Sequence, residues 1–115
     1  MSRVVVTGIG AVTPVGNNVP EFWEAIKNGK NGIAPITRFD VSESKYKLAA
    51  EVKGFDPEAL LGRQESKRMG RFTQMAVVAA REAVADAAFT LEEAEADRCG
   101  VIVSSGIGGL SITEA

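Results

Sequence analysis

Histidine is absent from this chain of 115 residues, and cysteine occurs once, at Cys99. A Ser-His or Cys-His catalytic pair therefore cannot form within the chain. A zinc site, which takes most of its ligands from these two residue types, is not expected. A single cysteine also excludes an internal disulfide and is typical of a reducing compartment. Acid–base or nucleophilic catalysis at neutral pH would need residues from outside this chain.

Long apolar runs and a strong charge bias are also missing. The longest wholly apolar run, Met75 to Ala80, is far shorter than the roughly 20 residues that a membrane-spanning helix needs. The apolar run near the N-terminus ends at Thr7, so no signal peptide is predicted. The net charge of −2 gives no general attraction to nucleic acid or to an anionic membrane. We therefore expect a cytoplasmic protein with no membrane span and no nucleic-acid partner.

The chain does contain two β-branched runs that lead directly into glycines. The run from Arg3 to Thr7 precedes Gly8, and the run from Arg98 to Ser104 precedes Gly106. Short β-branched runs of this kind are typical of strands buried on both faces of a parallel sheet. Together with an ordinary globular balance of 45% hydrophobic and 24% charged residues, they predict the α/β class.

Helices are predicted from capping residues and from apolar residues at helical spacing. The predicted helices begin at Asn18, Asp56, Gln64, Thr90 and Gly109, and a short strand is predicted over Ala49 to Val52. The pattern is strongest from Gln64 to Ala88, where an alanine-rich face would let neighbouring backbone pack closely, although Gly70 costs about 1 kcal/mol relative to Ala. Thr90 to Glu93 fits a capping box. No repeat or linker is visible, so no domain boundary is predicted.

The glycine motifs fit a cofactor site poorly. In Gly8-x-Gly10, the third glycine of a dinucleotide fingerprint is replaced by Thr13, and no strand ending in an acid follows about 20 residues later. Ser104-Ser105-Gly106 lacks the Gly-x-Ser-x-Gly pattern and the base of a nucleophile elbow. Structural turns are favoured at both places and no cofactor is expected. Nucleotide binding is an alternative that titration with NAD(P) and ATP would test.

A compact basic patch opens the long predicted helix. Arg63, Lys67 and Arg71 recur at every fourth position, Arg68 lies beside them, and Glu65 is the only acid nearby. A solvated helix face and a docking site for an acidic partner both fit this pattern. Because cations near a helix N-terminus oppose the macrodipole, the functional interpretation gains some support.

In combination, these residues resemble the N-terminal region of the β-ketoacyl-[acyl-carrier-protein] synthases, the condensing enzymes of fatty-acid synthesis. The similarity covers the whole chain and is closest to synthase II, although polyketide ketosynthases share much of the pattern. The motifs that carry it are Val4–Gly10, Thr13–Asn17, Phe22-Trp23, Gly29–Ile33, Ile36–Asp40, Lys67–Met69, Asp97–Gly100 and Ser105–Leu110.

The resemblance implies a thiolase-like fold of five αβαβα layers, a homodimer, and decarboxylative condensation of an acyl thioester with malonyl-acyl-carrier protein. In the family, one cysteine at a helix N-terminus and two histidines carry this reaction. None of them is expected in this chain, and Cys99 does not match the nucleophile's position. Residues 1–115 would be an incomplete part of the N-terminal domain, about the first quarter of a synthase, and inactive alone. We also expect the piece to fold poorly alone, because its strands need neighbours in a larger sheet.

The resemblance also implies roles for particular residues. Ile107 matches a position that lines the acyl-chain pocket near the dimer interface, where its bulk would limit chain length. Arg63, Lys67 and Arg68 match the basic segment that contacts acyl carrier protein. Gly70 departs from many relatives, which have an acidic residue there. One alternative is a small, non-catalytic protein that binds acyl carrier protein through the basic patch, and another is a fragment of a polyketide ketosynthase.

Overall fold

The computed structural model describes residues 1–113 and mixes short helices with one pair of strands. In chain order the elements are α1 (Val19–Lys27), β1 (Ile33–Pro35), β2 (Leu48–Ala50), α2 (Pro57–Leu61), α3 (Arg63–Lys67), α4 (Arg71–Asp86), a 3-10 helix (Glu93–Arg98) and α5 (Leu110–Thr113). The chain separates into two compact units, Ala11–Phe55 and Met1–Gly10 with Asp56–Ala115. Among the described helices, none combines the length and apolar character required to cross a membrane.

Helix α1 of the Ala11–Phe55 unit begins where its cap was predicted. The Glu21 N–H donates to the Asn18 side chain at 2.9 Å, which satisfies one of the free donors of the first turn. The helix ends at Lys27 with Asn28 as its cap, and Gly29 follows with a φ of +65°, a conformation that favours glycine. Trp23 and Ile26 leave about half of their surface exposed, so this unit covers only part of its apolar stripe.

Strands β1 and β2 pair antiparallel, with Ala34 opposite Ala49 at the centre. The strand predicted at Ala49 to Val52 is confirmed with its bounds shifted, whereas β1 was not predicted. Three residues that include Pro35 are too few to show an alternating pattern, and proline is depleted in strands.

Glu51, which follows β2, holds the loop after β1. Its carboxylate accepts hydrogen bonds from the Thr37 hydroxyl at 2.8 Å and from the N–H groups of Thr37 and Arg38 at 3.2 Å. These bonds favour the charged form, and the Thr37 hydroxyl is the main reason that the pKa of Glu51 lies below its ordinary value.

In the other unit, α2 also begins at its predicted cap. The Ala59 N–H donates to the Asp56 carboxylate at 3.1 Å, and Pro57 occupies the first turn. The helix ends at Leu61 with Gly62 as its cap, and the φ of +84° at Gly62 is readily reached only without a side chain.

The single helix predicted from Gln64 to Ala88 is wrong, because α3 and α4 are separate. Arg68 caps the end of α3, and Gly70 is extended, with φ −66° and ψ 158°, where α4 begins. Apolar residues keep a helical spacing across this break, so the spacing alone could not reveal it. Glycine is a poor helix former, and the helix is interrupted at this glycine.

The alanine-rich face of α4 does bring backbone close, as predicted. A Cβ atom on Gly8 would overlap the Ala83 carbonyl oxygen, and one on Gly10 would overlap that of Ala79. Glycine is therefore required at both positions by packing against α4. This supports the structural interpretation of the Gly8-x-Gly10 motif.

The two strands predicted at Arg3 to Thr7 and Arg98 to Ser104 are wrong, because the one sheet among the described residues contains β1 and β2 alone. Val4 is 96% exposed and Ile102 is 98% exposed. A strand of a parallel sheet needs hydrogen-bonded neighbours and helices on both faces. The described residues do not supply that environment.

The helix start predicted at Thr90 is wrong. The 3-10 helix begins only after Glu92 and has no side-chain cap among the described residues. Helix α5 lies inside the predicted segment Gly109 to Ala115, of which residues 114 and 115 lie outside the described residues.

Candidate functional site

The predicted carrier-protein residues lie at α3, just before the helix break. Arg63 is the first residue of α3, Lys67 is the last, and Arg68 is its cap. Arg63 and Lys67 are four residues apart in one helix and therefore share a face. We call these three residues the basic segment. Arg71 begins α4 beyond the break, so the predicted continuation of the stripe to Arg71 on one helix is wrong.

The basic segment faces solvent. Arg63, Lys67 and Arg68 are all exposed, and the side chain of Arg68 is 77% accessible. Arg68 lies 4.0 Å from Glu65, an ion pair that exposure to water makes weak. The segment therefore presents positive charge that a partner can reach.

Behind these cations lies the only polar residue that is buried among the described residues. Ser66 is 4% exposed, and its hydroxyl donates to the Arg63 carbonyl at 3.1 Å. Its own carbonyl accepts from the side chain of Gln74 at 2.8 Å. Sequence reasoning missed both residues. A serine inside a charged helix and a glutamine just after a glycine break are the signals that could have indicated them.

Ile107, the predicted acyl-pocket residue, lies in a tight turn. The Gly108 N–H donates to the Ser105 hydroxyl at 2.9 Å, and Gly108 has a φ of +80°. The turn leaves Ile107 77% exposed. The turn therefore presents an apolar side chain outward, and the pocket role of Ile107 stays a prediction.

An open apolar groove of about 420 Å³ lies between α4 and the segment that precedes this turn. Its lining residues are Phe72, Thr73, Ala76, Val77, Ala80, Val101, Val103, Ser104 and Ser105. Ile107 is not one of them. The structure thus joins the predicted strand residues Val101 and Val103 to α4, but it does not bring Ile107 into the same groove.

Catalytic groups are scarce in the part of the chain that the structure describes. Cys99 has an exposed thiol and follows the 3-10 helix at its C-terminal end. The nucleophilic cysteine that the resemblance implies lies at a helix N-terminus, and Cys99 is not in such a position. Within residues 1–113, no cluster of three or more His, Cys, Asp or Glu residues could hold a metal ion.

Comparisons with known proteins assign the family. The sequence profile described as "Beta-ketoacyl synthase, N-terminal domain" matches residues 1–115. The chain is 48% identical to 3-oxoacyl-[acyl-carrier-protein] synthase 2 of Synechocystis sp. and 50% identical to that of Staphylococcus aureus strain COL, each over 112 residues and 97% of this chain. It spans 27% of the length of both relatives.

A solved structure supports the fold. The ishigamide ketosynthase/chain length factor superposes with a TM-score of 0.68 at 40% identity, covering 75% of this chain and 21% of that one. The α/β class with a thiolase-like fold is thereby confirmed, as is the predicted resemblance. The chain belongs to the β-ketoacyl synthase family, and its residues match the model of that family's N-terminal domain.

Proposed function

We propose that this chain works as the N-terminal part of a 3-oxoacyl-[acyl-carrier-protein] synthase II of fatty-acid biosynthesis. The observation that carries the proposal is the identity of 48–50%, over 97% of the chain, with relatives named 3-oxoacyl-[acyl-carrier-protein] synthase 2. Residues 1–115 form an incomplete part of the N-terminal domain. The complete enzyme is a cytoplasmic homodimer.

In the proposed reaction, a cysteine sulfur attacks the acyl thioester and releases the thiol of the carrier protein. Malonyl-carrier protein then loses carbon dioxide, and the resulting carbanion attacks the enzyme-bound acyl carbonyl and releases the cysteine. Hydrogen-bond donors stabilise the negative oxygen formed in these steps. The cysteine and its two histidine partners come from the remaining part of the protein, since the chain has no histidine and Cys99 lies at the wrong end of a helix.

The contribution of this chain is to receive the acidic carrier protein. Arg63, Lys67 and Arg68 are exposed and close together in sequence on α3. Such a cluster steers an acidic partner and forms rim charge pairs, which affect association more than the final affinity. Ile107 is proposed as one wall of the acyl pocket. Its 77% exposure in this chain leaves an apolar surface for an acyl chain or a second subunit to cover.

The test is charge reversal of the basic segment in the full-length protein. The variant Arg63→Glu/Lys67→Glu/Arg68→Glu should raise the KM for acyl-carrier protein at least about tenfold, because like charges now face each other. The KM for an acyl-pantetheine thioester, which lacks the carrier protein, should be unchanged. The matched control is Lys45→Glu, which reverses an exposed lysine of the other unit. An unchanged KM for acyl-carrier protein would overturn the docking role.

A second candidate is condensation in polyketide synthesis. The observation in its favour is the 40% identity with the solved ketosynthase/chain length factor. Product analysis with purified full-length protein separates the two candidates. Extension of a saturated acyl chain on a fatty-acid carrier protein supports the first, and extension only on a polyketide carrier protein supports the second. Carrier binding without any condensation would support the non-catalytic alternative.

A further inference from the structure

The break between α3 and α4 leaves carbonyl groups that need hydrogen-bond donors. The last four carbonyls of an α-helix have no partner within the helix. Helix α3 has only five residues and ends at Lys67, so the Ser66 and Met69 carbonyls lie at this break. Met69 N–H donates to the Ser66 carbonyl, but at 3.4 Å, a long hydrogen bond.

The side chain of Gln74 supplies donors to both carbonyls. Its Nε2 lies 2.8 Å from the Ser66 oxygen and 3.3 Å from the Met69 oxygen. Both partners are acceptors, so the amide nitrogen, and not the amide oxygen, must face them. The Gln74 N–H donates to the Gly70 carbonyl at 3.0 Å, which anchors the same residue within α4. Gln74 therefore joins the longest helix of the chain to the end of α3.

The hydrogen bonds from Gln74 hold α3 at a residue that is buried. Ser66 lies between Arg63 and Lys67 in the sequence, and it is buried while both cations are exposed. A five-residue helix has little stability of its own, because helix nucleation is costly. The position of α3 must therefore come from such tertiary bonds.

We propose that Gln74 is a positioning residue for the basic segment, and this inference rests on the proposed docking function. Its amide fixes the end of α3, so that Arg63, Lys67 and Arg68 are already arranged before the carrier protein arrives. A prearranged surface binds better because less conformational freedom is lost on association. Gln74 itself need not touch the carrier protein.

The variant Gln74→Met tests this in the full-length protein, since it keeps the length and neutrality of the side chain and removes the amide. We expect the KM for acyl-carrier protein to rise about fivefold, the effect of ordering roughly one more side chain on binding, with kcat unchanged. The dependence of log KM on log salt concentration should keep its slope, because every charge remains. The KM for acyl-pantetheine should not change.

The matched control is Gln64→Met, the same substitution at an exposed glutamine of α3, which should change KM less than twofold. Amide hydrogen exchange gives an independent readout, since residues 64–69 should exchange faster in Gln74→Met while the centre of α4 does not. If Gln74→Met does not fold, the variant Gln74→Asn takes its place. Its side chain retains the amide but is too short to reach both carbonyls, so the same changes in KM and in hydrogen exchange are expected.

Two outcomes would overturn the inference: an unchanged KM for acyl-carrier protein, or an equal loss with acyl-pantetheine, which would indicate a merely structural role. Failure of the proposed function is distinguishable from both. In that case the charge-reversed variant itself leaves the KM for acyl-carrier protein unchanged. If charge reversal raises this KM and Gln74→Met does not, only the role of Gln74 is wrong.

Discussion

Replacing Gly70 by Asp and by Ala discriminates between a broken and a continuous helix at the start of α4. Gly70 is the N-cap of α4, and its φ of −66° is accessible to any residue. The first turn of α4 contains no acidic residue and begins with Arg71. An aspartate at position 70 would accept a hydrogen bond from the first turn, and its negative charge would interact favourably with the positive end of the helix dipole.

The magnitude follows from comparing the two variants with each other. Both add a Cβ that overlaps the end of the Ile112 side chain and lies 3.1 Å from the Phe72 ring, and both restrict the unfolded chain relative to glycine. These contributions largely cancel in the difference. What remains is the cap, about 0.5–2 kcal/mol, and the dipole, about 0.3–1 kcal/mol. Gly70→Asp should therefore exceed Gly70→Ala in free energy of unfolding by about 1.5 kcal/mol.

The assay is urea unfolding of both full-length variants at pH 7, repeated below pH 3. Protonation of the new carboxyl at low pH removes the dipole contribution, so the advantage of Gly70→Asp should shrink. In a continuous helix the order would reverse, because Ala is a better helix former than Asp by up to about 0.7 kcal/mol. An alanine variant as stable as the aspartate variant, or more stable, would refute the helix break.

Two further perturbations test other parts of the chain. The pKa of Glu51 is lowered in the folded state, chiefly by the Thr37 hydroxyl. At pH values above the ordinary pKa of 4.5, the charged carboxylate therefore stabilises the folded state. This stabilisation is lost as the pH falls through the lower pKa of the folded state. Urea unfolding at pH 7 and pH 3 should therefore show that the stability deficit of Glu51→Gln relative to the native protein is smaller at pH 3 than at pH 7, and an equal deficit at both pH values would contradict this. Gly10→Ala should destabilise by more than about 2 kcal/mol, as an overpacked contact does, because its methyl would overlap the Ala79 carbonyl oxygen. The control is Gly100→Ala, whose Cβ would meet no described atom within 4 Å. Its free energy of unfolding, measured by thermal unfolding, should stay within about 0.5 kcal/mol of the native value. Equal effects of both substitutions would count against the packing argument.

Elements defined by a local signal were predicted well. Asn18 and Asp56 each cap a helix by bonding to an N–H three residues later, and that bond depends on nothing outside the first turn. The clustered charge of the basic segment is also visible in the sequence, although its predicted place at the start of one long helix is wrong. Its role in carrier-protein docking stays a prediction.

Elements that depend on distant neighbours were predicted poorly. The run from Arg3 to Thr7 has the composition of a buried strand, but composition does not supply the adjacent strands and covering helices that burial requires. The strand predicted from Arg98 to Ser104 is wrong for the same reason. The single helix predicted from Gln64 to Ala88 is wrong because the apolar spacing continues through Gly70, whereas the helical backbone is interrupted there.

Reading the residues alone was enough to identify the family, to exclude histidine-dependent chemistry within this chain, and to place the helix starts at Asn18 and Asp56. Each of these depends on residue identity or on contacts within four residues. The packing of Gly10 against Ala79, and the hydrogen bonds from Gln74 to the carbonyls of Ser66 and Met69, became visible in the folded chain and not before. Those contacts arise when a helix break and a distant turn bring separate backbone groups together, which no local sequence pattern specifies.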